Sequence, residues 1–128
     1  MATRKSESRR RWLLRAALLG LALGAAALLA QDAALVSPKV VKVKLDNDRV
    51  RVLEVVSKPG DKEAMHSHPA AVLYVVSGGT LRVSFPDGTK RDIEFKAGDT
   101  MFRAPVTHTA ENVGTTAVHQ IIVELKKP

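Results

Sequence analysis

Turn-forming residues divide the chain from residue 46 onwards into segments that are too short for most helices. They recur at roughly ten-residue intervals, a spacing typical of all-β sandwiches and barrels. Between the turns, apolar and polar residues alternate with period two, and the longer period of an amphipathic helix is not seen. The clearest turn signals are Asp46-Asn47-Asp48, Pro59-Gly60-Asp61, Gly78-Gly79, Pro86-Asp87-Gly88 and Ala97-Gly98-Asp99.

The segments between these turns predict about eight or nine short strands. Ala71–Ser77 and Ala117–Leu125 are rich in Val, Ile and Tyr, which favour strands. We therefore expect an all-β domain, a barrel or jelly roll, over residues 34–128. A chain of 128 residues is long enough for one such domain and too short for two.

The positive charge of the chain lies mainly at its start. The formal net charge is +7, but residues 1–15 hold six basic residues and one acidic residue. The remaining 14 basic and 12 acidic residues nearly balance, and no basic stripe with interleaved aromatic residues follows residue 30. We therefore predict no nucleic-acid partner. The chain has no cysteine, which excludes disulfides, thiolate ligands and a cysteine nucleophile.

Residues 1–33 have the order of an export signal, which is a basic start, an apolar middle and a zone of small residues. The apolar run of residues 16–30 predicts a signal helix, and it is shorter than the roughly 20 residues of a membrane span. Arg9-Arg10-Arg11 before Trp12 resembles a twin-arginine signal, and an ordinary secretory signal is the alternative. We expect a periplasmic or secreted protein that touches the membrane only through this segment, if the segment is not removed.

Two of the four histidines lie in the arrangement His66-x-His68. On a strand, residues two apart point to the same side, about 6.6 Å from one another. Their imidazoles can therefore converge on one ion at about 2.0–2.1 Å each. A third histidine, His108, follows a later turn signal. We interpret these three side chains as the ligands of one metal ion inside the barrel.

The spacing around these histidines resembles the two signature motifs of the cupin superfamily. The first motif matches Gly60, His66-x-His68 and Gly79, and the second matches Gly98-Asp99, Pro105, His108 and Asn112. The resemblance covers about residues 40–125 and looks like small single-domain cupins. It implies a double-stranded β-helix, a metal ion inside the barrel and a homodimer. A fold by itself does not define an activity.

Two departures from the cupin motifs affect the expected chemistry. Val72 stands where the first motif has a glutamate, and the second motif lacks its glycine between Pro105 and His108. Three neutral imidazoles leave a divalent ion its full charge and suit iron, nickel, copper, cobalt or zinc. Cupins that use three histidines without the glutamate include thiol and diketone dioxygenases. The resemblance therefore implies oxygen chemistry, with iron as the first candidate metal.

Three further residues are candidates for a substrate pocket. Tyr74 shares parity with His68, so an unbroken strand would point its hydroxyl into the barrel as a catalytic or substrate-binding group. Phe102 is a candidate for the barrel lining, and Arg103 for binding a substrate carboxylate. The alternatives are a core tyrosine, a core phenylalanine and a solvated arginine.

Other residues near the histidines carry weaker signals. Glu63 and Glu111 could add a carboxylate ligand from outside the usual position. Asn112 is better explained as a turn or supporting residue, Met65 as outer packing, and His119 as an ordinary surface or core histidine.

Three functions are compatible with these residues. The first is a metal-dependent cupin dioxygenase that acts on a small organic substrate. The second is a binding protein for a metal ion or small ligand without catalysis, and a fourth protein ligand to the ion would favour it. The third is a non-redox isomerase or lyase.

Overall fold

The computed structural model describes residues 31–127 of the chain. The predicted signal sequence and its helix lie almost wholly outside the described residues. Within this range the secondary structure is one short helix followed by nine strands, which confirms the all-β prediction. In chain order these are α1 (Ala33–Val36), β1 (Val41–Asp46), β2 (Val50–Ser57), β3 (Lys62–His68), β4 (Ala71–Ser77), β5 (Gly79–Ser84), β6 (Lys90–Phe95), β7 (Thr100–Arg103), β8 (Val106–Asn112) and β9 (Val118–Leu125).

The strands form two antiparallel sheets. One has five strands in the order β1-β2-β9-β4-β7, and the other has four in the order β3-β8-β5-β6. The chain crosses between the sheets repeatedly, because β3 leaves the first sheet and β4 returns to it. The inner faces of the two sheets enclose one cavity, to which Leu73 and Ile122 of the larger sheet and Val83 of the smaller sheet contribute.

Alternation along the strands divides each sheet into an inner and an outer face. In β4, Ala71, Leu73 and Val75 are buried, whereas Val72 and Tyr74 are exposed. The two main apolar clusters follow the inner faces. One cluster is centred on Leu53, Val55, Leu73 and Ile122, and the other on Val75, Leu81, Phe95 and Val118.

The turn before β3 contains the first glycine of the cupin-like motif. Gly60 has φ +86°, a backbone conformation that side chains with a Cβ rarely adopt. Its N–H donates to the carbonyl of Asn112, and the N–H of Asn112 donates to the carbonyl of Asp61, each at 2.9 Å. The Asn112 side chain also donates to the Ser57 carbonyl at 2.7 Å. Asn112 therefore ties the end of β8 to the connection between β2 and β3, as expected for a supporting residue.

Residues 31–33, which we had assigned to the signal, contact the barrel. The Gln31 carbonyl accepts the N–H of Ser67 at 2.8 Å, and Ser67 lies between two of the candidate ligands. The Asp32 carboxylate caps α1 through the N–H groups of Ala34 and Leu35. Within residues 31–127, no helix is long and apolar enough to cross a membrane.

Candidate metal centre

The structure brings the three candidate histidines together on the inner face of the smaller sheet. His66 and His108 are direct partners in the pairing of β3 with β8, and His68 follows on the same side of β3. The ring centroid of His66 lies 4.7 Å from each of the other two, and those two are 5.5 Å apart. One nitrogen from each ring lies within 4.8 Å of the other two, which is close enough to surround one ion.

Hydrogen bonds at the outer nitrogens orient these rings. Nδ1 of His66 donates to the carbonyl of Ala64 at 2.7 Å, and Nδ1 of His68 donates to Oε1 of Glu124 at 2.6 Å. We infer these tautomers from the partner atoms, since a carbonyl oxygen and a carboxylate oxygen accept hydrogen bonds. Each ring then presents the lone pair of Nε2 to the centre, which is the arrangement found in metal-binding histidines.

Burial keeps the rings of His66 and His108 neutral. Desolvation lowers the pKa of His66 to about 4 and that of His108 to about 3. Both rings are therefore neutral at pH 7 and offer a free lone pair. Within the described chain, the buried Nε2 atoms of His66 and His108 have no hydrogen-bond partner.

Buried nitrogen atoms without partners are costly, because each has lost its hydrogen bonds to water. A bound cation removes this cost. Three neutral imidazole nitrogens suit a divalent transition metal better than calcium or magnesium, which prefer oxygen ligands. The three-histidine cluster therefore suggests a site for a divalent metal ion, and the donor set is compatible with several metals.

A β-bulge adds a carboxylate to this site. Between Glu63 and His66 the register of β3 against β8 shifts by one residue, since Glu63 pairs with Ala110 and His66 with His108. Ala64 and Met65 are both exposed, and Glu63 returns to the inner face with 7% of its surface exposed. Its Oε2 lies 3.5 Å from Nε2 of His66. The sequence named Glu63 as a candidate, but alternation alone would have pointed it outwards.

The contact between Glu63 and His66 is not a pair of opposite charges. Desolvation raises the pKa of Glu63 to about 7, with Arg103 opposing the shift. The same loss of solvent keeps His66 neutral. The pair therefore consists of a neutral imidazole and a carboxyl group that holds a proton part of the time, beside the centre of the site.

Glu124 is a supporting residue that the sequence analysis missed. Its Oε1 accepts the hydrogen bond from His68, and its Oε2 lies 3.8 Å from Nη1 of Arg51. Arg51 in turn binds Asp32, with Nη1 and Oδ2 2.5 Å apart. Alternation along β9 could have revealed that Glu124 points inwards, because Gln120 and Glu124 share the inward face of the strand with apolar Val118 and Ile122. A polar residue at an inward position of a strand indicates a buried contact.

The cavity beside the histidines has a volume of about 240 Å³ and largely apolar walls. His68, His108 and Glu63 line one part of it, together with Arg103. Two of the candidates for a substrate pocket, Phe102 and Arg103, both line this cavity. Arg103 is half-buried in the wall, and Phe102, which is 67% exposed, contributes from the mouth.

The prediction that Tyr74 points into the barrel is wrong. Tyr74 is 48% exposed on the outer face of β4, as is Val72 at 36%. Strand β3 ends at His68 and β4 begins at Ala71, so Pro69 and Ala70 interrupt the alternation on which we relied. The inward position is Ala71, which pairs with Arg103 on one side and with Glu124 on the other. A glutamate at position 72 would therefore point away from the histidines.

The remaining candidates lie away from the site. Glu111 forms an ion pair with Lys62 at 3.2 Å. His119 contacts Glu54, with Nε2 and Oε1 3.0 Å apart, on the outer face of the larger sheet. Met65 is 38% exposed on the bulge, so we assign these residues no part in metal binding.

Comparison with solved structures identifies the fold. A cupin domain from Bordetella pertussis Tohama I superposes with a TM-score of 0.63 at 27% identity, over 69% of this chain and 93% of that chain. The fold is that of a cupin domain. An uncharacterised protein with a double-stranded β-helix domain from Klebsiella pneumoniae gives a TM-score of 0.55 at 26% identity, over 67% of this chain and 75% of that one.

A structure of lower sequence identity supports the same conclusion, for the fold alone. An RmlC-like cupin from Methanocaldococcus jannaschii has a TM-score of 0.54 at 15% identity, over 67% of this chain and 78% of that one. No family model and no curated protein matches the chain. The comparisons therefore support the cupin fold predicted from the motifs and assign no activity to it.

Proposed function

We propose that this protein binds one divalent transition-metal ion through His66, His68 and His108 and acts as an oxygenase on a small organic molecule. The observation that carries the proposal is the pair of buried Nε2 atoms without partners, on neutral rings, beside an apolar cavity. The cavity supplies the room for a substrate next to the ligands. Iron is the first candidate metal, and nickel, copper, cobalt and zinc fit the same donors.

The ion, when bound, would supply Lewis acidity and free coordination positions for substrate and oxygen. The side chains have separate tasks around it. The apolar walls exclude water and hold the substrate near the ligands, which favours reaction through proximity. Glu124 fixes His68 through Nδ1. Oε2 of Glu63, 3.5 Å from Nε2 of His66, is placed to accept a proton from a substrate in the cavity.

Oxygen uptake by metal-loaded protein tests this proposal. Protein reconstituted separately with iron, nickel, copper, cobalt and zinc would be assayed against a panel of thiols, diketones and small carboxylic acids. We expect uptake with a redox-active metal, its loss in His108→Ala, and no change in the control His119→Ala. Turnover that survives with zinc would instead indicate an isomerase or lyase. Stoichiometric metal without turnover of any substrate would contradict an enzymatic function.

Glu63 gives specific support to a second candidate, a binding protein without catalysis. Its carboxylate is the one protein oxygen placed by the bulge beside the centre, and a fourth protein ligand would close the ion to substrate. X-ray absorption spectra of the metal-loaded wild type and of Glu63→Gln separate the two functions. Identical spectra, with three nitrogen ligands and exchangeable water, favour the enzyme. A carboxylate ligand that disappears in the variant favours binding alone.

We also propose that residues 1–33 direct export of the protein. The basic start and apolar run support an export signal, and Arg9-Arg10 supports the twin-arginine route. Replacing both arginines by lysine should retain the protein in the cytoplasm, whereas Arg15→Lys should not. Export of the double variant at the normal rate would favour an ordinary secretory signal.

A further inference from the structure

Arg103 is an unsatisfied cation in the wall of the cavity. It ends β7 and lines the same cavity as His68 and His108. Its Nε and Nη2 atoms are buried, and neither has a hydrogen-bond partner anywhere in residues 31–127. A guanidinium group stays charged in proteins and carries donors only, so these two N–H groups need acceptors.

The two carboxylates near Arg103 do not supply these acceptors. Glu124 and Glu63 act on Arg103 electrostatically, and each opposes the lowering of its pKa by desolvation. Glu124, however, is already the acceptor for His68 and lies beside Arg51. Glu63 lies beside His66. Nε and Nη2 of Arg103 therefore have no acceptor among the described residues, although the side chain lines the cavity.

The unpaired edge of Arg103 has the geometry of a carboxylate fork. Nε and Nη2 lie along the same edge of the planar guanidinium group and donate two parallel hydrogen bonds. The same pair of atoms in Arg82 binds Asp92 on the protein surface, with Nε–Oδ1 at 2.7 Å and Nη2–Oδ2 at 2.8 Å. A planar acceptor with two oxygens would fill the edge of Arg103 in the same way.

The rest of the cavity favours a ligand whose remaining part is apolar. Leu73, Phe95 and Ile122 contribute to its walls, and its volume is about 240 Å³. Its size suits a molecule smaller than most drug-sized ligands, whose pockets begin near 300 Å³. A divalent ion with Arg103 would also make this region positive, because Glu63 and Glu124 balance only part of that charge. An anion is therefore favoured over a neutral molecule or a cation.

We propose that the substrate of this cavity is a small carboxylate with an apolar body, held by Nε and Nη2 of Arg103 so that the body lies between the apolar walls and the three histidines. This inference rests on the proposed function for the role of the histidines. The fork itself is formed by the protein alone, so binding of a carboxylate can be measured without metal.

Calorimetric titration of the metal-free protein tests the fork directly. The probes are butyrate, hexanoate and benzoate, with hexanamide as the uncharged match to hexanoate and hexyl phosphate as a competing anion. We expect at least one of the three acids to bind. Hexanoate should bind roughly tenfold or more tightly than hexanamide, since charged hydrogen bonds are lost in the amide. Equal binding of hexanoate and hexanamide, or no binding of any acid, would overturn the proposal. Tighter binding of hexyl phosphate would overturn the choice of a carboxylate.

Variants assign the effect to Arg103. Arg103→Gln should lose the preference for hexanoate over hexanamide, and Arg103→Lys should keep only part of it because an ammonium group cannot form the fork. Arg49→Gln, which removes an exposed charge, should bind hexanoate as the wild type does. Wild-type affinity in Arg103→Lys and Arg103→Gln would contradict the proposal. If Arg103→Gln does not fold, the lysine variant and the comparison of probes on the wild type still decide.

Metal titration of the same proteins separates this proposal from the proposed function. Arg103→Gln should bind the metal ion as the wild type does, since Arg103 is not among the three ligands. A wild type that binds hexanoate but no metal would contradict the metal-dependent function and leave the fork intact. A wild type that binds metal but no carboxylate would contradict the carboxylate proposal and leave the metal-dependent function intact.

Discussion

At the scale of single residues, Glu124 determines which nitrogen of His68 faces the cavity. The carboxylate accepts a hydrogen bond from Nδ1–H at 2.6 Å and leaves Nε2 free for the ion. Outer partners of this kind orient ligating histidines and raise their basicity. His68 is therefore held in a binding-competent tautomer before any metal arrives.

Replacing Glu124 should weaken metal binding without removing a ligand. In Glu124→Gln the neutral amide oxygen is a poorer acceptor, and we expect metal affinity to fall roughly 10–100-fold. Glu54→Gln is the matched control, because Glu54 also pairs with a histidine, His119, at 3.0 Å and far from the three ligands. Competition with a chelator measures both variants. Unchanged affinity in Glu124→Gln would show that this hydrogen bond does not support the site.

The shifted pKa values predict how pH affects the metal-free protein. Folding lowers the pKa of His66 to about 4 and of His108 to about 3 from 6.5, so the unfolded chain binds more protons below pH 6.5. Stability therefore falls as pH falls from 6.5. Glu63 has the opposite effect on stability. Its pKa rises from 4.5 to about 7 on folding, so between these pH values the folded chain holds a proton that the unfolded chain has lost.

As the pH falls from 6.5 to 4.5, the loss of stability caused by the two histidines exceeds the gain caused by Glu63. We expect a higher urea midpoint for the metal-free protein at the upper pH, and a smaller pH dependence in His108→Gln. The free energy of unfolding from urea titrations at both pH values checks this. A midpoint that is unchanged or higher at the lower pH would contradict the burial of neutral histidines described above.

Particular residues show what the sequence could and could not predict about the site. The three histidines followed from parity within β3 and from motif spacing, both of which are local. Tyr74 was misplaced because the break at Pro69 and Ala70 resets the alternation between β3 and β4. Glu63 turned inwards through a bulge, which depends on pairing with β8. Glu124 contacts a residue 56 positions away, so only the folded chain reveals the contact.

At the scale of elements, strand β3 is held on both edges. It pairs with β8 on one side, and on the other the Gln31 carbonyl accepts the Ser67 N–H while Asp32 forms a parallel bridge with Ser67. The strand that carries two ligands is thus protected from fraying. On its outer edge, β3 is therefore bound by residues that directly follow the apolar run of residues 16–30.

Loss of the Asp32 side chain should destabilise this edge. Asp32→Ala removes the cap of α1 and both hydrogen bonds to Arg51, at 2.5 and 3.1 Å. Loss of a cap alone costs about 0.5–2 kcal/mol, and we expect a decrease at the upper end of that range. Asp48→Ala in an exposed turn is the control. Urea unfolding of the two variants measures the difference, and equal stabilities would show that Asp32 is not a structural residue.

At the scale of the whole molecule, the turn signals predicted most of the strands because glycine, proline and aspartate act locally. The order of strands in the two sheets depends on long-range pairing, and the sequence offered it only through the resemblance to cupins. The homodimer that this resemblance implied stays a prediction. The exposed apolar residues Val72, Tyr74 and Val76 on the outer face of β4 are where we expect a second copy to bind.

Light scattering on the purified protein tests the dimer. We expect a mass twice that of one chain, and a monomer for Tyr74→Lys, because a buried charge without a partner opposes association. Thr89→Lys, which adds the same charge at an exposed turn beyond this face, should remain a dimer. A monomeric wild type at micromolar concentration would contradict the prediction.

Metal content is the most direct measurement of the central claim that three imidazoles bind one ion. Elemental analysis of protein purified from its own host should find one transition-metal ion per chain in the wild type. It should find none in the variant with His66, His68 and His108 all replaced by alanine, and one in the control His119→Ala. A wild type that binds no metal even after reconstitution, or a triple variant that retains it, would contradict the account.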